Sequence, residues 1–179
     1  MKLKKIIATV AAVFALGTSA FAFEWSEFWK NYGGGIEKGD MLLSAGVNLN
    51  FDYFTYFGYG GGYAIPPVSV DFEIAQPIWV LPFTFGGYAR VGAFGYSDRF
   101  WMDIAAGGLA KYHVQLPPEK LDVYLGLKLG VKFYVGYDFA PDFDQGGYVL
   151  GASYFFSDNF AVNAEVGYPN TRVAAMLKF

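Results

Sequence analysis

The stretch LDVYLGLKLGVKFYV, residues 121–135, alternates between apolar residues and polar or small ones from end to end. Strand side chains point to opposite faces with a period of two, so one face carries only Leu, Val and Phe. That face runs longer than the ~5–6 residues of an ordinary globular strand. It provides the ~9–11 residues that a tilted strand needs to cross a bilayer. The stretch therefore predicts a membrane-spanning strand.

The N-terminal segment, residues 1–22, has the three parts of a secretory signal peptide. It begins with three lysines, continues with an apolar run from Ile6 to Leu16, and ends in the small-x-small site Ala20-Phe21-Ala22. An uncleaved membrane anchor would need ~20 apolar residues, more than this run contains. We predict cleavage after Ala22 and export from the cytoplasm. No long apolar run follows, so no transmembrane helix is expected.

Composition and charge limit the classes of function. Charged residues make up 16% of the chain, against about 25% in ordinary soluble domains, so much of the outer surface is not expected to face water. Loss of the three N-terminal lysines changes the net charge from −3 to −6 (−3 − 3), which argues against a nucleic-acid partner. The absence of cysteine excludes disulfides, thiolate metal sites and lipid-modified cysteines.

Eight segments alternate in this way, and the breaks between them contain the Gly, Pro, Asn and Asp typical of turns. We predict strands at Asp40–Phe51, Val68–Ala75, Leu81–Tyr96, Phe100–Gln115, Glu119–Val135, Gly147–Phe156, Phe160–Gly167 and Thr171–Phe179. They predict an all-β fold, an eight-stranded antiparallel up-and-down transmembrane β-barrel over residues 40–179. Residues 23–39 precede it as an amphipathic segment with a Gly-rich link.

Glycines decide which face of the strands is inside. They collect on the polar face, as Gly46, Gly107 and Gly130 illustrate, and small residues suit the crowded concave side of a narrow barrel. A soluble lipocalin-like barrel would instead place the apolar face inside. The polar-in, apolar-out arrangement is that of an outer-membrane barrel. Two long connections on one side, 52–67 and 136–146, and short turns on the other agree with it.

The last segment, Thr171-Arg-Val-Ala-Ala-Met-Leu-Lys-Phe179, ends in Phe with alternate small or apolar residues before it. In this it resembles the small eight-stranded outer-membrane barrels of the OmpA, OmpX and OmpW type. The resemblance covers nearly all of the mature chain. It implies a bacterial outer-membrane location, contact with outer-membrane lipid, and recognition by the barrel-assembly machinery. The residues that match the assembly signal are Val173, Ala175, Leu177 and Phe179.

Charged side chains on the polar face are predicted to form a network inside the barrel. If Leu116–Pro118 makes a tight connection, Asp103 lies opposite Lys132 and His113 opposite Asp122, with Glu165 diagonal to Arg172. The network either fills and closes the barrel or lines a polar path for a solute; we favour closure. Its predicted members are Asp71, Glu73, Arg90, Asp103, Lys111, His113, Asp122, Lys128, Lys132, Glu165 and Arg172.

No enzyme, metal site or cofactor is predicted. His113 is the single histidine, and no serine or cysteine nucleophile is expected beside it, so no catalytic residue is assigned. Asp142-x-Asp144-x-Gly146 lacks the spacing of a full calcium loop, and we interpret it as solvated.

Two aromatic segments have open interpretations. The Asp52–Pro67 loop either continues the strands above the bilayer or forms a recognition surface, since Tyr supplies contact area at low entropic cost. The Trp25–Tyr32 segment has helical spacing and either lies on the membrane as a short amphipathic helix, caps the barrel, or is disordered. The aromatic residues of the loop are Tyr53, Phe54, Tyr56, Phe57, Tyr59 and Tyr63.

Taken together, the patterns favour an integral outer-membrane barrel with a filled polar lumen. It would act in surface interaction, including contact with an extracellular or host ligand, or in membrane integrity, through its extracellular loops. The alternative function is a narrow porin-like channel for small or hydrophobic solutes.

Overall fold

Strands form most of the part of the chain that the computed structural model describes. That part comprises residues 30–49, 62–96, 99–116, 119–136, 141–144, 147–167 and 171–179. The predicted signal peptide, residues 25–29 of the predicted helix and the loop aromatics from Tyr53 to Tyr59 lie outside it. The strands are β1 (Met41–Leu49), β2 (Gly62–Ala75), β3 (Phe83–Tyr96), β4 (Arg99–Leu116), β5 (Leu121–Val135), β6 (Pro141–Asp144), β7 (Tyr148–Ser157), β8 (Phe160–Gly167) and β9 (Thr171–Lys178).

The nine strands close into one barrel. Their order is β4-β3-β2-β1-β9-β8-β7-β5-β6, and the additional pairing of β4 with β5 joins the two sides of the sheet. The short β6 pairs with β5 near Lys132, whereas β7 pairs with β5 near Leu125. β6 and β7 therefore pair with two different parts of the same edge of β5 and count together as one strand of the barrel. Gly147, just before β7, has a φ of 72°. The predicted all-β, eight-stranded antiparallel barrel is confirmed.

The stagger of the strands fixes the width of the barrel. Paired residues lead from Ala45 through β2, β3 and β4 to Val131 on β5. In the other direction, through β9, β8 and β7, they lead from Ala45 to Leu121 on the same strand. The two end points lie ten residues apart, so the shear number is 10. Eight strands with such a stagger tilt by roughly 40° and enclose just enough room for side chains.

The predicted strand positions are close to the observed ones, and the differences lie in two connections. β2 begins at Gly62, inside the predicted Asp52–Pro67 loop, and β6 lies within the predicted 136–146 loop. The connections at residues 76–82, 117–120 and 158–159 mark what we call the turn end of the barrel. The opposite end is the loop end.

The predicted pairing of Asp103 with Lys132 was wrong. Leu116 pairs with Leu121, so the connection contains the four residues 117–120 rather than the tight link assumed from the sequence. The longer connection moves the register by two residues, which pairs Asp103 with Tyr134 and Lys132 with Ala105. Because strand side chains repeat with a period of two, this shift leaves every side chain on its predicted face.

Burial alternates along the strands with polar side chains inside. On β5, Leu127 is 58% exposed, whereas Asp122 and Lys128 are buried. Glycine is needed on the inner side, as predicted from the volume argument. A Cβ atom at Gly130 would lie 2.7 Å from Tyr88 Oη, and one at Gly126 would lie 2.7 Å from Lys111 Cγ.

Candidate functional site

An ion cluster crosses the barrel at Lys111. Its Nζ lies 2.7 Å from Glu73 Oε1 and 2.9 Å from Glu165 Oε1. Lys111 is on β4, whereas Glu73 is on β2 and Glu165 is on β8, and neither strand neighbours β4. The bonds therefore run through the interior of the barrel rather than along its wall.

Two further cations complete this cluster. Lys128 Nζ on β5 lies 2.7 Å from Asp71 Oδ2 and 3.0 Å from Glu165 Oε2. Arg172 on β9 donates to Asp71 Oδ2 through Nη1 and to Ser44 Oγ through Nη2. Arg172 is paired directly with Glu165 in the β8–β9 register, not diagonally as predicted, and the two charges lie 3.6 Å apart. Three carboxylates thus face three cations, and their formal charges cancel.

Neutral polar groups that the sequence prediction missed extend the cluster. Tyr124 Oη donates to Glu165 Oε1 at 2.8 Å, and Asn163 Nδ2 donates to Tyr124 Oη and to Ser153 Oγ. The ring of Tyr124 occupies the space that a side chain at Gly151 would need. These three residues, Tyr124, Ser153 and Asn163, sit at inward positions of their strands, so the alternation itself was the signal that could have identified them.

His113 contacts Asp122 although the two are not opposite each other. The Cα partner of His113 is Tyr124, yet its Nδ1 lies 2.9 Å from Asp122 Oδ2 across a diagonal. Its Nε2 lies 3.0 Å from Thr84 Oγ1, which donates its single hydroxyl proton to Glu73 Oε2 at 2.5 Å. Nδ1 faces the Asp122 carboxylate and Nε2 faces the Thr84 hydroxyl, so both ring nitrogens have a polar partner inside the barrel.

Thr84, His113 and Asp122 form a hydroxyl–imidazole–carboxylate chain that sequence reasoning did not find. The chain resembles a nucleophilic triad in its order. However, the Thr84 hydroxyl donates to Glu73 rather than to the imidazole, and all three side chains are buried. The chain therefore links Glu73 of the charged cluster to His113 and Asp122 inside the barrel.

The loop end of the interior has a different character. Arg90 Nη2 lies 3.7 Å from Asp103 Oδ1, and Lys132, which is half-buried, lies over the ring of Tyr134 at 5.0 Å. Phe94 and Trp101 stack here with ring centroids 5.8 Å apart. Below them is a cavity of about 30 Å³ between Asp71, Tyr88, Arg90, Lys128 and Glu165, enough for one or two waters.

Residues 30–40 form a plug at the turn end of the barrel. Tyr32 Oη donates to the Phe83 carbonyl at 2.6 Å, and its ring lies 5.6 Å from that of His113. The amide of Gly33 donates to Asp122 Oδ1 at 3.3 Å, and the amide of Gly34 donates to the Glu119 carbonyl at 3.0 Å. Burial raises the pKa of Tyr32 to about 12, so the phenol keeps its proton at neutral pH.

An apolar contact holds the plug in place. Ile36 is 5% exposed and belongs to a cluster of inward-facing apolar side chains at the turn end. Gly33 and Gly34 allow this approach, because a Cβ at Gly33 would lie 2.5 Å from Asp122 Cα and one at Gly34 would enter the Phe155 ring. The other members of the cluster are Leu42, Ala75, Phe155, Ala161 and Met176.

Replacing Gly34 by alanine is expected to release the plug from a folded barrel. Gly35→Ala is the matched control, since both glycines have a positive φ, 66° and 68°, but a Cβ at Gly35 meets only Lys178 Nζ at 3.8 Å. Trypsin cleavage after the exposed Lys38 should accelerate several-fold in Gly34→Ala relative to Gly35→Ala. Equal cleavage rates would show that the Phe155 contact does not hold the plug.

The predicted residues are therefore distributed over three regions. The ten charged and histidine residues predicted in the lumen besides Lys132 are buried. Val173, Leu177 and Phe179 are exposed on the outward face at the end of the chain. Tyr63 lies at the start of β2, and the other loop aromatics lie outside the described residues.

Comparison with known proteins adds no assignment. No protein-family model matches the chain, and no curated protein matches it. Among the described residues, no helix is long and apolar enough to cross a membrane. In the same part of the chain, no group of three or more His, Cys, Asp and Glu side chains is arranged to hold a metal ion.

Proposed function

We propose that the chain is an integral barrel of the bacterial outer membrane, with an interior closed to solutes, that acts through its extracellular loops. Its role would be surface interaction or membrane integrity. The observation that carries this proposal is the reversed polarity of the barrel. Its interior contains a cluster of charged side chains, whereas exposed apolar side chains lie on the outside of β1 to β5 and of β7 to β9.

The exposed apolar surface supports a lipid environment. A soluble monomer rarely exposes a contiguous apolar patch larger than a few hundred Å². Here Leu43, Phe72, Val91, Leu127 and Leu150 are all exposed on different strands around the barrel. Exposing this apolar surface to water costs a large free energy, whereas contact with lipid hydrocarbon does not carry that cost.

Aromatic side chains at the turn end support a membrane–water boundary there. Phe83 and Tyr112 lie with ring centroids 5.2 Å apart, and Phe156 lies 5.1 Å from Tyr154 and 6.3 Å from Phe160. Aromatic girdles of this kind mark the interfaces of outer-membrane barrels. The closed sheet also leaves no unpaired strand edge for hydrocarbon to face.

The geometry favours a closed barrel over the alternative narrow channel. Ion pairs cross the interior between β2, β4, β5, β8 and β9, and the plug covers the turn end. The cavity of about 30 Å³ beside Asp71 is too small for a solute. A role in surface contact or membrane integrity therefore needs no conformational change. Transport would require both the interior ion pairs and the plug to open.

We expect refolded protein in planar bilayers to show no steady conductance steps at high protein density. The reason is that the cluster and the plug block the interior in series. Gly34→Ala should stay silent as well, because the charged cluster remains closed when the plug is released. Reproducible steps of uniform size from wild-type protein would contradict the closed interior and favour the channel.

A further inference from the structure

The β2–β3 hairpin ends in an uncharged tip, Gln76-Pro-Ile-Trp-Val-Leu-Pro82. The amide of Gln76 donates to the Phe83 carbonyl at 2.8 Å, and Ile78 pairs with Leu81. Trp79 and Val80 therefore form a two-residue turn that extends the hairpin past the last pair of the barrel wall, Ala75 with Thr84.

Trp79 occupies this turn in an unusual way. It is 93% exposed, and it has a φ of 55°, the one positive φ of a non-glycine residue among those the structure describes. Two-residue hairpin turns normally place Gly, Asn or Asp at such a position. Backbone strain of this kind persists where function or packing requires it. Packing does not explain a side chain that contacts so little.

We infer that this hairpin tip is an anchor that inserts Trp79 into the head-group layer of the inner leaflet. The anchor presupposes the membrane location proposed above. Its neighbours at the tip are apolar and exposed, Ile78 at 43% and Val80 at 60%. No charged residue occurs between Glu73 and Arg90.

The other two connections at the turn end provide an internal comparison. The 117–120 connection contains Glu119 and Lys120, and the 158–159 turn contains Asp158. Those connections are suited to water. The β2–β3 tip alone among the three combines an exposed tryptophan with flanking apolar residues, which are the residues that favour a membrane interface.

The length of the hairpin matches the depth of this layer. The tip lies about three residue pairs beyond Ala75 and Thr84, or roughly 10 Å along the strands. With a tilt of roughly 40° this becomes about 7–8 Å along the barrel axis. The head-group regions add about 5–8 Å on each side of the hydrocarbon. Pro77 and Pro82 flank the Ile78–Leu81 pair and restrict the backbone, so that the tip is held out rigidly.

A set of single-tryptophan variants in vesicles of brominated lipid tests the anchor. Trp25, Trp29 and Trp101 are replaced by phenylalanine, which leaves Trp79 as the reporter. We expect bromine near the head group to quench it at least two-fold more than bromine deep in the acyl chain. An inward control retains Trp101 alone, and an outward control carries Leu127→Trp with all four native tryptophans replaced.

The two controls separate failure of the anchor from failure of the membrane location. If bromine quenches the Leu127→Trp reporter but not Trp79, the barrel is in the membrane and the anchor is refuted; this includes the case of a tip that binds a periplasmic protein. If Leu127→Trp is not quenched, the proposed location itself fails. Shallow quenching of Trp79 together with deep quenching of Leu127→Trp, and none of Trp101, supports both.

Discussion

Glu165→Ala is expected to lower the free energy of unfolding by about 3–5 kcal/mol, the range found when one partner of a buried ion pair is removed. Its carboxylate accepts from Lys111 and Tyr124 through Oε1 and faces Lys128 and Arg172 through Oε2. The truncation leaves three buried cations with two carboxylates. The measurement is urea unfolding in lipid vesicles, followed by the gel mobility of unheated samples.

Two variants show whether charge balance causes this loss. Glu119→Ala removes a carboxylate from an exposed turn and should change stability by no more than about 0.5 kcal/mol. Lys128→Met in the Glu165→Ala background restores the balance and should recover part of the loss, since neutral replacement of a buried pair is often tolerated. A cost for Glu165→Ala equal to that of Glu119→Ala would contradict the proposed role of the cluster.

Leu127→Arg is expected to destabilise the barrel in vesicles by about 2–4 kcal/mol, the cost of an arginine on the lipid face at mid-depth. Leu127 is 58% exposed on β5, so a soluble protein would accept the same change with little effect. Asp158→Arg introduces the same side chain in the 158–159 turn and should be close to neutral. If Leu127→Arg folded in lipid-free buffer as readily as in vesicles, the outward face would not be a lipid face.

Alternation predicted the faces of the strands correctly because it depends only on the geometry of each strand. Leu127 and Lys128 are assigned to opposite sides without knowledge of their neighbours. Register depends instead on the length of each turn, and the misjudged connection at 117–120 changed the directly paired residue of Asp103 from Lys132 to Tyr134. The predicted contact between His113 and Asp122 is still present, because a side chain can reach a diagonal neighbour as well as an opposite one.

The sequence patterns could not predict contacts between segments that are far apart in the chain. Gly33 and Gly34 were predicted only as part of a Gly-rich link, yet they permit the plug to approach Asp122, 89 residues away from Gly33. Thr84 carried no signal of its own, because it joins His113 only when β3 and β4 pair. The exposed Trp79 was likewise placed in a turn by the sequence, but its backbone conformation was not foreseen.

Closure of the barrel has a consequence for the order in which the chain can become stable. Arg172 lies on β9, the last strand, and donates to Ser44, 128 residues earlier on β1. A chain that lacks its final strand would leave Asp71 and Glu165 short of one cation and would leave the edges of β1 and β8 unpaired. An incomplete copy therefore cannot reach a low-energy state in lipid. The interior cluster thus makes completeness of the chain a condition for stable membrane residence.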